Sequence, residues 1–459
     1  MSTEHSAEGA ESTDSAIQAY AGAVRRLLAH GGFERSGDPA EARRWDIAHI
    51  TAYLDAHGRP DARRTVHVAG TKGKGSTATM TESILRAAGA HTLLLISPDL
   101  HQARERIAID GAPVGYAQFA ALAERVLADP ASERWSYFEL LTVMGWHAGA
   151  DAGCDWQVLE VGLGGRLDTT NAVAAKQVAV ITPIDLEHTA ILGETIALIA
   201  AEKAGIITTP CEVVAAPMRE SALDVVRART VAAGATLHQV AEECTLRVSG
   251  QTLDGQKLDL RTPLRTYRGL SLPLAGPHQA QNAAAATRAA ELAFAATAQE
   301  LPERAVHEGL ARTRLHARFE VLKRRPLVVI DAAHTALAAK RFRQTVEALP
   351  LPAQCVLVVG LLAGKDTRGI AAELSACSDT VIVAPPASPR AADPREVARA
   401  FSEAGAIAQT ALTIAQAIEV ASAIAGERGA VLVVGGLYAA AEAREHLLAV
   451  TGDRALGLR

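Results

Sequence analysis

Short runs of β-branched and apolar residues, separated by alanine-rich helical stretches, constrain this chain more than any other feature. Between residues 64 and 216 they read "RTVHVAG", "HTLLLIS", "WQVLEVG", "KQVAVIT" and "CEVVAA". Nearly continuous apolar runs of this kind belong to strands covered on both faces, which means a parallel sheet with helices on either side. From about Val240 to Pro273 the pattern loosens. There "LRVSGQTLDGQKLDL" has the alternation of a hairpin, so an antiparallel appendage is expected. An alanine-rich helix near 279–298 follows, and "RPLVVID", "CVLVVGLL", "DTVIVAP" and "AVLVVGG" then restart the strand–helix series. The expected organisation is α/β throughout, with a parallel-sheet domain over residues 18–315 and a smaller Rossmann-like domain over 316–459. A chain of 459 residues with 49% hydrophobic content exceeds what one core normally organises. The acidic, serine-rich first 17 residues read as a disordered tail.

Composition narrows the function classes. A net charge of −5 with no long block of lysine and arginine predicts neither a nucleic-acid nor a membrane surface. The longest apolar runs, such as "VLVVGLLA" at 356–363, fall far below the roughly 18 residues of a membrane helix. With no arginine before Arg25, the start does not read as a signal or transit peptide. Five cysteines without a CxxC pair argue against a disulfide framework or zinc knuckle, so a reducing cytoplasm is expected.

The stretch "HVAGTKGKGSTATM", residues 67–80, has the ingredients of a phosphate loop without its usual spacing. Against GxxxxGK[ST], Val68 stands where the first glycine belongs and Gly75 where the hydroxyl belongs. Even so, a strand ends near Gly70, the turn holds Gly70, Gly73 and Gly75 beside Lys74, and a helix is expected from Ser76 or Thr77. Converging amides at a helix start favour an anion. The competing reading is an ordinary strand-to-helix turn with solvated lysines. A second glycine turn, "LEVGLGGRLDTTN" (159–171), follows Glu160 at a strand end. Next, "ITPIDLEHTAILGET" places Asp185, Glu187 and His188 at the carboxyl edge where parallel sheets bind ligands, and "AAEKAGI" supplies Lys203. Taken singly, His188 and Lys203 read as a hydrogen-bonded loop residue and a solvated lysine.

Taken in order, these segments resemble the folylpolyglutamate synthase and dihydrofolate synthase family, related to the Mur peptide ligases. The resemblance also includes "SPDLHQARERIAIDG" (97–111), "YFELLT" (137–142), "LEHTAILGETIALIAAEKAGI" (186–206), "GPHQAQNAAAA" (276–286), "ARFEVL" (317–322), "DAAHTALAA" (331–339) and "GGLYAAAEAR" (435–444). It implies a P-loop-type ATPase domain joined to the Rossmann-like one, with ATP held between them. Gly70, Thr71, Gly73, Lys74, Gly75 and Ser76 would cradle the phosphates, and Asn282 would contact adenine. Arg318, Asp331 and His334 would reach phosphate and ribose from the second domain. Ser97 and Glu139 match positions of a first Mg²⁺ site and His188 of a second, while Lys203 matches a lysine that the family carbamylates. The catalytic set implied is Lys74, His188, Lys203, Arg318 and His334.

The implied reaction is ATP-dependent amide formation between L-glutamate and a folate or dihydropteroate carboxylate, through an acyl phosphate, in a cytoplasmic monomer. Polyglutamylation alone, dihydrofolate synthesis alone or both fit the resemblance, as does an ATP-binding regulator that has lost ligation. A kinase or GTPase is opposed by the failed loop spacing and by the second domain. Departures from the family pattern are Lys72 in place of the commoner asparagine, Asp99 where a histidine is usual and expected to face the pterin side, and "DAAHTALAA" for "DGAHNPHAA".

Overall fold

The computed structural model describes residues 4–42, 46–208 and 210–458. The five apolar runs of the first half become β1 (Arg64–Ala69), β2 (Thr92–Leu95), β5 (Trp156–Glu160), β6 (Val178–Ile181) and β7 (Glu212–Ala215). With β3 (Ile107–Ile109), β4 (Ala112–Pro113) and β8 (Thr236–Gln239) they form an eight-stranded sheet in the order β4-β3-β2-β5-β1-β6-β7-β8. From β2 to β8 across the sheet all pairs are parallel, and β3 and β4 turn back as an antiparallel edge.

Both faces are covered, which is why the runs lack alternation. Val66, Val68, Val158, Val180 and Val214 pack on Ala280, Ala283 and Ala284 of the helix Pro277–Ala295. Leu93, Leu95 and Leu159 pack on the other side against Tyr20, Phe119 and Trp146. Each valine or leucine so buried contributes about 1.5–3 kcal/mol. The appendage is a three-stranded antiparallel sheet of β9 (Thr245–Thr252), β10 (Gly255–Arg261) and β11 (Thr266–Leu272), which feeds Leu258, Leu260 and Tyr267 into the first of these cores.

The chain passes to the second sheet between Arg312, the end of a helix, and Glu320. That sheet contains β12 (Glu320–Arg324), β13 (Leu327–Asp331), β14 (Cys355–Val359), β15 (Thr380–Val383), β16 (Ile407–Thr410) and β17 (Ala430–Val434), ordered β12-β13-β17-β14-β15-β16. Only β12 is antiparallel to its neighbour. The edge strands β12 and β16 are the two that no apolar run announces, because β12 is half-buried and β16 mostly open to solvent.

One expectation is corrected at the amino end. Composition suggests a disordered tail through residue 17, yet from Glu4 to Ala29 the chain is one helix. Tyr20, Val24 and Leu27 bury its second half in the core, and the helix continues back from that anchor. Residues 1–3 lie outside the described part. Among the described residues no helix is long and apolar enough to cross a membrane.

The carboxyl end returns to this same helix. Asp453, fully buried, accepts a hydrogen bond from the Tyr20 hydroxyl at 2.8 Å and another from the Ala103 amide at 3.0 Å, while Leu458 enters the adjoining core. Asp453→Ala therefore strands two buried donors, each costing about 1–3 kcal/mol. Urea unfolding should show a loss of at least about 2 kcal/mol, and an unchanged midpoint would contradict this tie.

Candidate active site

The carboxyl ends of both sheets open on one cleft of about 490 Å³. From the first sheet it receives the loops after β1, β2, β5 and β6, and from the second those after β13, β14, β15 and β17. After β1 the helix starts at Lys74, two residues earlier than expected, with Gly73 (φ 97°) preceding it. The amides of Lys74, Gly75 and Ser76 fall in the first turn, where no helical carbonyl receives them. Gly73 is needed for its positive φ and for space, since a Cβ there would come within 2.6 Å of Asn282 Oδ1. Asn282 thus abuts the loop, and its own amide nitrogen donates to Gln279. Thr71 lines the cleft and also ties the loop in place. Its amide donates to Pro183 O, and its hydroxyl both donates to and accepts from the Asp185 backbone, which ties the loop to β6.

After β2, Ser97 is brought to Glu160, whose Oε2 accepts the Ser97 amide at 2.9 Å. Burial pushes the Glu160 carboxyl up, against the opposing pull of Lys74, the Ser97 amide and Arg318. Glu139, expected beside Ser97, also lines the cleft, but both its oxygens are engaged. One accepts the Ser136 amide at 2.6 Å to close a capping box on the helix Tyr137–Asp151, and the other meets His49 Nε2 at 2.9 Å. Ser97's carboxylate neighbour is therefore Glu160. Asp99 is likewise corrected. It does not face an acceptor, because its side chain has no exposed surface and accepts from Arg106 Nε at 2.6 Å, while Arg106 also binds Glu34.

Four lysines gather where the loops after β1 and β6 meet the second unit. Lys72 Nζ lies 2.6 Å from Glu187 Oε1. Burial alone would raise the Glu187 carboxyl, but Lys72, aided by His188 and Lys74, outweighs it and holds it down at about 2. His188 sits in a left-handed conformation (φ 53°) with Phe33 edge-on to its ring. Burial, then Lys203, Lys74 and Lys365, push it down to about 4, so it is neutral at pH 7 and able to ligate. Lys203, 4% exposed, is pushed down to about 7 by burial and then by Lys74.

The second unit adds Arg318, Asp331 and His334 as anticipated, all lining the cleft. His334 donates from Nδ1 to Ala332 O at 2.9 Å, which leaves Nε2 facing Glu187 at 3.9 Å. Burial, then Lys72, push it down to about 4. Burial raises Asp331 to about 6 against Arg318, and its two oxygens accept the Phe319 and Ala333 amides, each at 2.8 Å. Asp331 thereby shapes the backbone beside Arg318. Lys365 and Arg390 also line the cleft and were missed by the sequence reasoning. Their signal was position: "GKD" soon after β14 and "SPR" after β15, both beyond carboxyl ends.

Comparison with known proteins matches this arrangement. Residues 68–290 fit the Mur ligase middle domain and residues 317–437 the Mur ligase, glutamate ligase domain. Over 430 residues the chain is 36% identical to the dihydrofolate synthase/folylpolyglutamate synthase of Mycobacterium tuberculosis, covering 89% of this chain and 87% of that protein. The chain belongs to the folylpolyglutamate synthase/dihydrofolate synthase family. It is an ATP-dependent ligase of the Mur type.

The Escherichia coli family member of the same name is 33% identical over 380 residues, covering 82% and 85% of the two chains. Mycobacterium tuberculosis folylpolyglutamate synthase complexed with ADP and AMPPCP superposes with a TM-score of 0.79 at 36% identity, covering 88% of this chain and 95% of that one. Escherichia coli FolC in complex with DHPP and ADP gives 0.77 at 31% identity, covering 88% and 94%. Of two haloarchaeal relatives, each a probable bifunctional folylpolyglutamate synthase/dihydropteroate synthase, the chain spans about half the length, 46% and 47%.

Lys203 gives this ligase a pH signature. Its amine binds a proton near pH 7 when folded and near 10.4 when unfolded, so between these values the unfolded chain holds more protons and stability rises with pH. Lys203→Met removes the titration. In CO₂-free buffer, the stability of wild type relative to this variant should climb by on the order of 1 kcal/mol per unit from pH 7 to 9. A flat difference would show that Lys203 is not a buried amine.

Proposed function

We propose that the chain joins L-glutamate to the carboxylate of a folate or pteroate, by phosphorylating that carboxylate with ATP. The observation that carries this is the convergence of Lys72, Lys74, Lys203 and Lys365 on the region of Glu187 and the amide-rich start of a helix. Such a site calls for a polyanion. The wall of the same cleft includes Phe33, Phe138, Leu163 and Leu167, which suits a flat aromatic acceptor. The Escherichia coli relative solved with DHPP and ADP supports placing both ligand types on this frame.

A carboxylate oxygen attacks the γ-phosphorus and ADP leaves, giving an acyl phosphate. The free amine of glutamate then attacks the acyl carbon, and the tetrahedral adduct collapses to amide and inorganic phosphate. Lys74 and Arg318 neutralise charge on the phosphoryl oxygens as it builds, and closure of the two units excludes water from the acyl phosphate. His188 and His334, both neutral, stand at the junction of the two units, where Nε2 of His334 is free to accept a hydrogen bond from the incoming amine.

Magnesium suits the residues present. Glu160, which accepts the Ser97 amide, and the Ser97 side chain both line the cleft and offer hard oxygens, and neutral His188 offers a nitrogen to a second ion, although among the described residues no three acidic, His or Cys side chains form a ready-made cage. When bound, the metal would neutralise charge on the phosphate oxygens. Lys203 as a carbamate fits the same logic, since an amine near pKa 7 has the free lone pair that CO₂ requires, and the product would replace one cation of the cluster by an anion.

Phosphate release tests the reading. It should require ATP, L-glutamate and a pteroate acceptor together, with dihydropteroate and tetrahydrofolate assayed separately to distinguish the acceptors. Lys74→Ala should lower kcat/KM at least about 100-fold, roughly 2.7 kcal/mol of transition-state stabilisation. Turnover without glutamate, or a variant within about tenfold of wild type, would contradict the assignment.

A further inference from the structure

Strand β1 leads directly into the phosphate loop, and inside it His67 has no exposed surface. Its Nε2 lies 2.8 Å from the Thr170 hydroxyl, and that hydroxyl lies 2.5 Å from Asp168 Oδ1. A hydroxyl has one proton. Because Asp168 takes it, Thr170 must accept from the ring, so Nε2 carries the imidazole hydrogen and Nδ1 is bare. Nδ1 is indeed buried without a hydrogen-bond partner, as a neutral ring of this tautomer allows and an imidazolium would not. Burial, then the charge of Lys176, push His67 well below its ordinary range, in keeping with a permanently neutral ring.

Asp168 carries the chain onward. Oδ1 also accepts the Thr170 amide at 3.0 Å, and Oδ2 accepts the amides of Gly162 and Leu163, each at 3.0 Å. Gly162, Leu163 and Asp168 line the cleft. A polar chain thus runs from the middle of the sheet to the apolar wall.

We propose that His67 and Thr170 are positioning residues for the acceptor: by turning Asp168 they hold the Gly162–Leu163 wall against which the acceptor lies. Neither residue lines the cleft itself. Only the identity of the acceptor rests on the ligase reading; the chain and the wall do not.

Two measurements on the full-length protein test this, using Thr170→Val, which keeps the shape and removes the donor, and Thr170→Ser, which restores it. Hydrogen exchange at the Gly162 and Leu163 amides should speed up about tenfold or more in Thr170→Val, with the phosphate loop unchanged, and return toward wild type in Thr170→Ser. The acceptor KM should rise about tenfold in Thr170→Val while the ATP KM stays within about twofold, again with rescue by serine. Wild-type exchange in Thr170→Val, or ATP and acceptor KM rising together, would overturn the proposal. Should Thr170→Val not fold, His67→Gln, which retains an N–H donor, is compared with His67→Phe. Gln is expected to retain slow exchange and Phe to lose it, and equal behaviour overturns the proposal. If the wild type turned over neither pteroate acceptor, the ligase reading would fall while the exchange result still judged the chain; wild-type turnover with unaltered exchange would remove the chain alone.

Discussion

Like charge crowded at the meeting point of two sheets is the constraint on which the site depends. At an effective dielectric near 20, two unit charges about 5 Å apart repel by roughly 3 kcal/mol. Lys72, Lys74, Lys203 and Lys365 all perturb the same small region, which Glu187, Glu160 and Asp168 face. Burial first, and then the charge of the cluster, keeps His188 and His334 neutral and depresses Lys203. Its remaining positive potential favours polyphosphate binding, and the same potential stabilises charge moving from ATP to a carboxylate.

The fold exists to bring these groups together. Parallel strands deliver their carboxyl ends to one edge, and the two sheets turn those edges toward each other. Ties far from the chemistry hold the units in this relation. Asp453 reaches Tyr20 and Ala103, and His101 lies between Glu445 at 3.1 Å and Arg444 at 3.2 Å.

Most of the sheet framework and much of the site could be read from the sequence, because apolar runs mark buried parallel strands and ligand residues follow them closely. Lys74, His188 and His334 occur at such places, whereas Lys203 lies within the helix Ile196–Ala204 and Arg318 just ahead of β12. What escaped has physical reasons. β12 and β16 are half-solvated edges without apolar runs, and the amino-terminal helix is set by Tyr20 and Leu27 rather than by the acidic residues before them. Glu139 carries the right chemistry but caps a helix. Glu160 was visible at a strand end, yet only three dimensions show Ser97 against it. Asp99, expected on the pterin side, has its side chain buried against Arg106. Lys365 and Arg390 lie far along the chain and meet the first sheet only after folding.

Following oxygen through the reaction tests the central claim, that this cation-rich cleft transfers the γ-phosphoryl group to an organic acid. With an acceptor whose carboxylate carries ¹⁸O, one labelled oxygen should appear in the inorganic phosphate, because the carboxylate oxygen becomes the bridge of the acyl phosphate and leaves with phosphorus. Unlabelled phosphate formed in step with the amide would contradict the account.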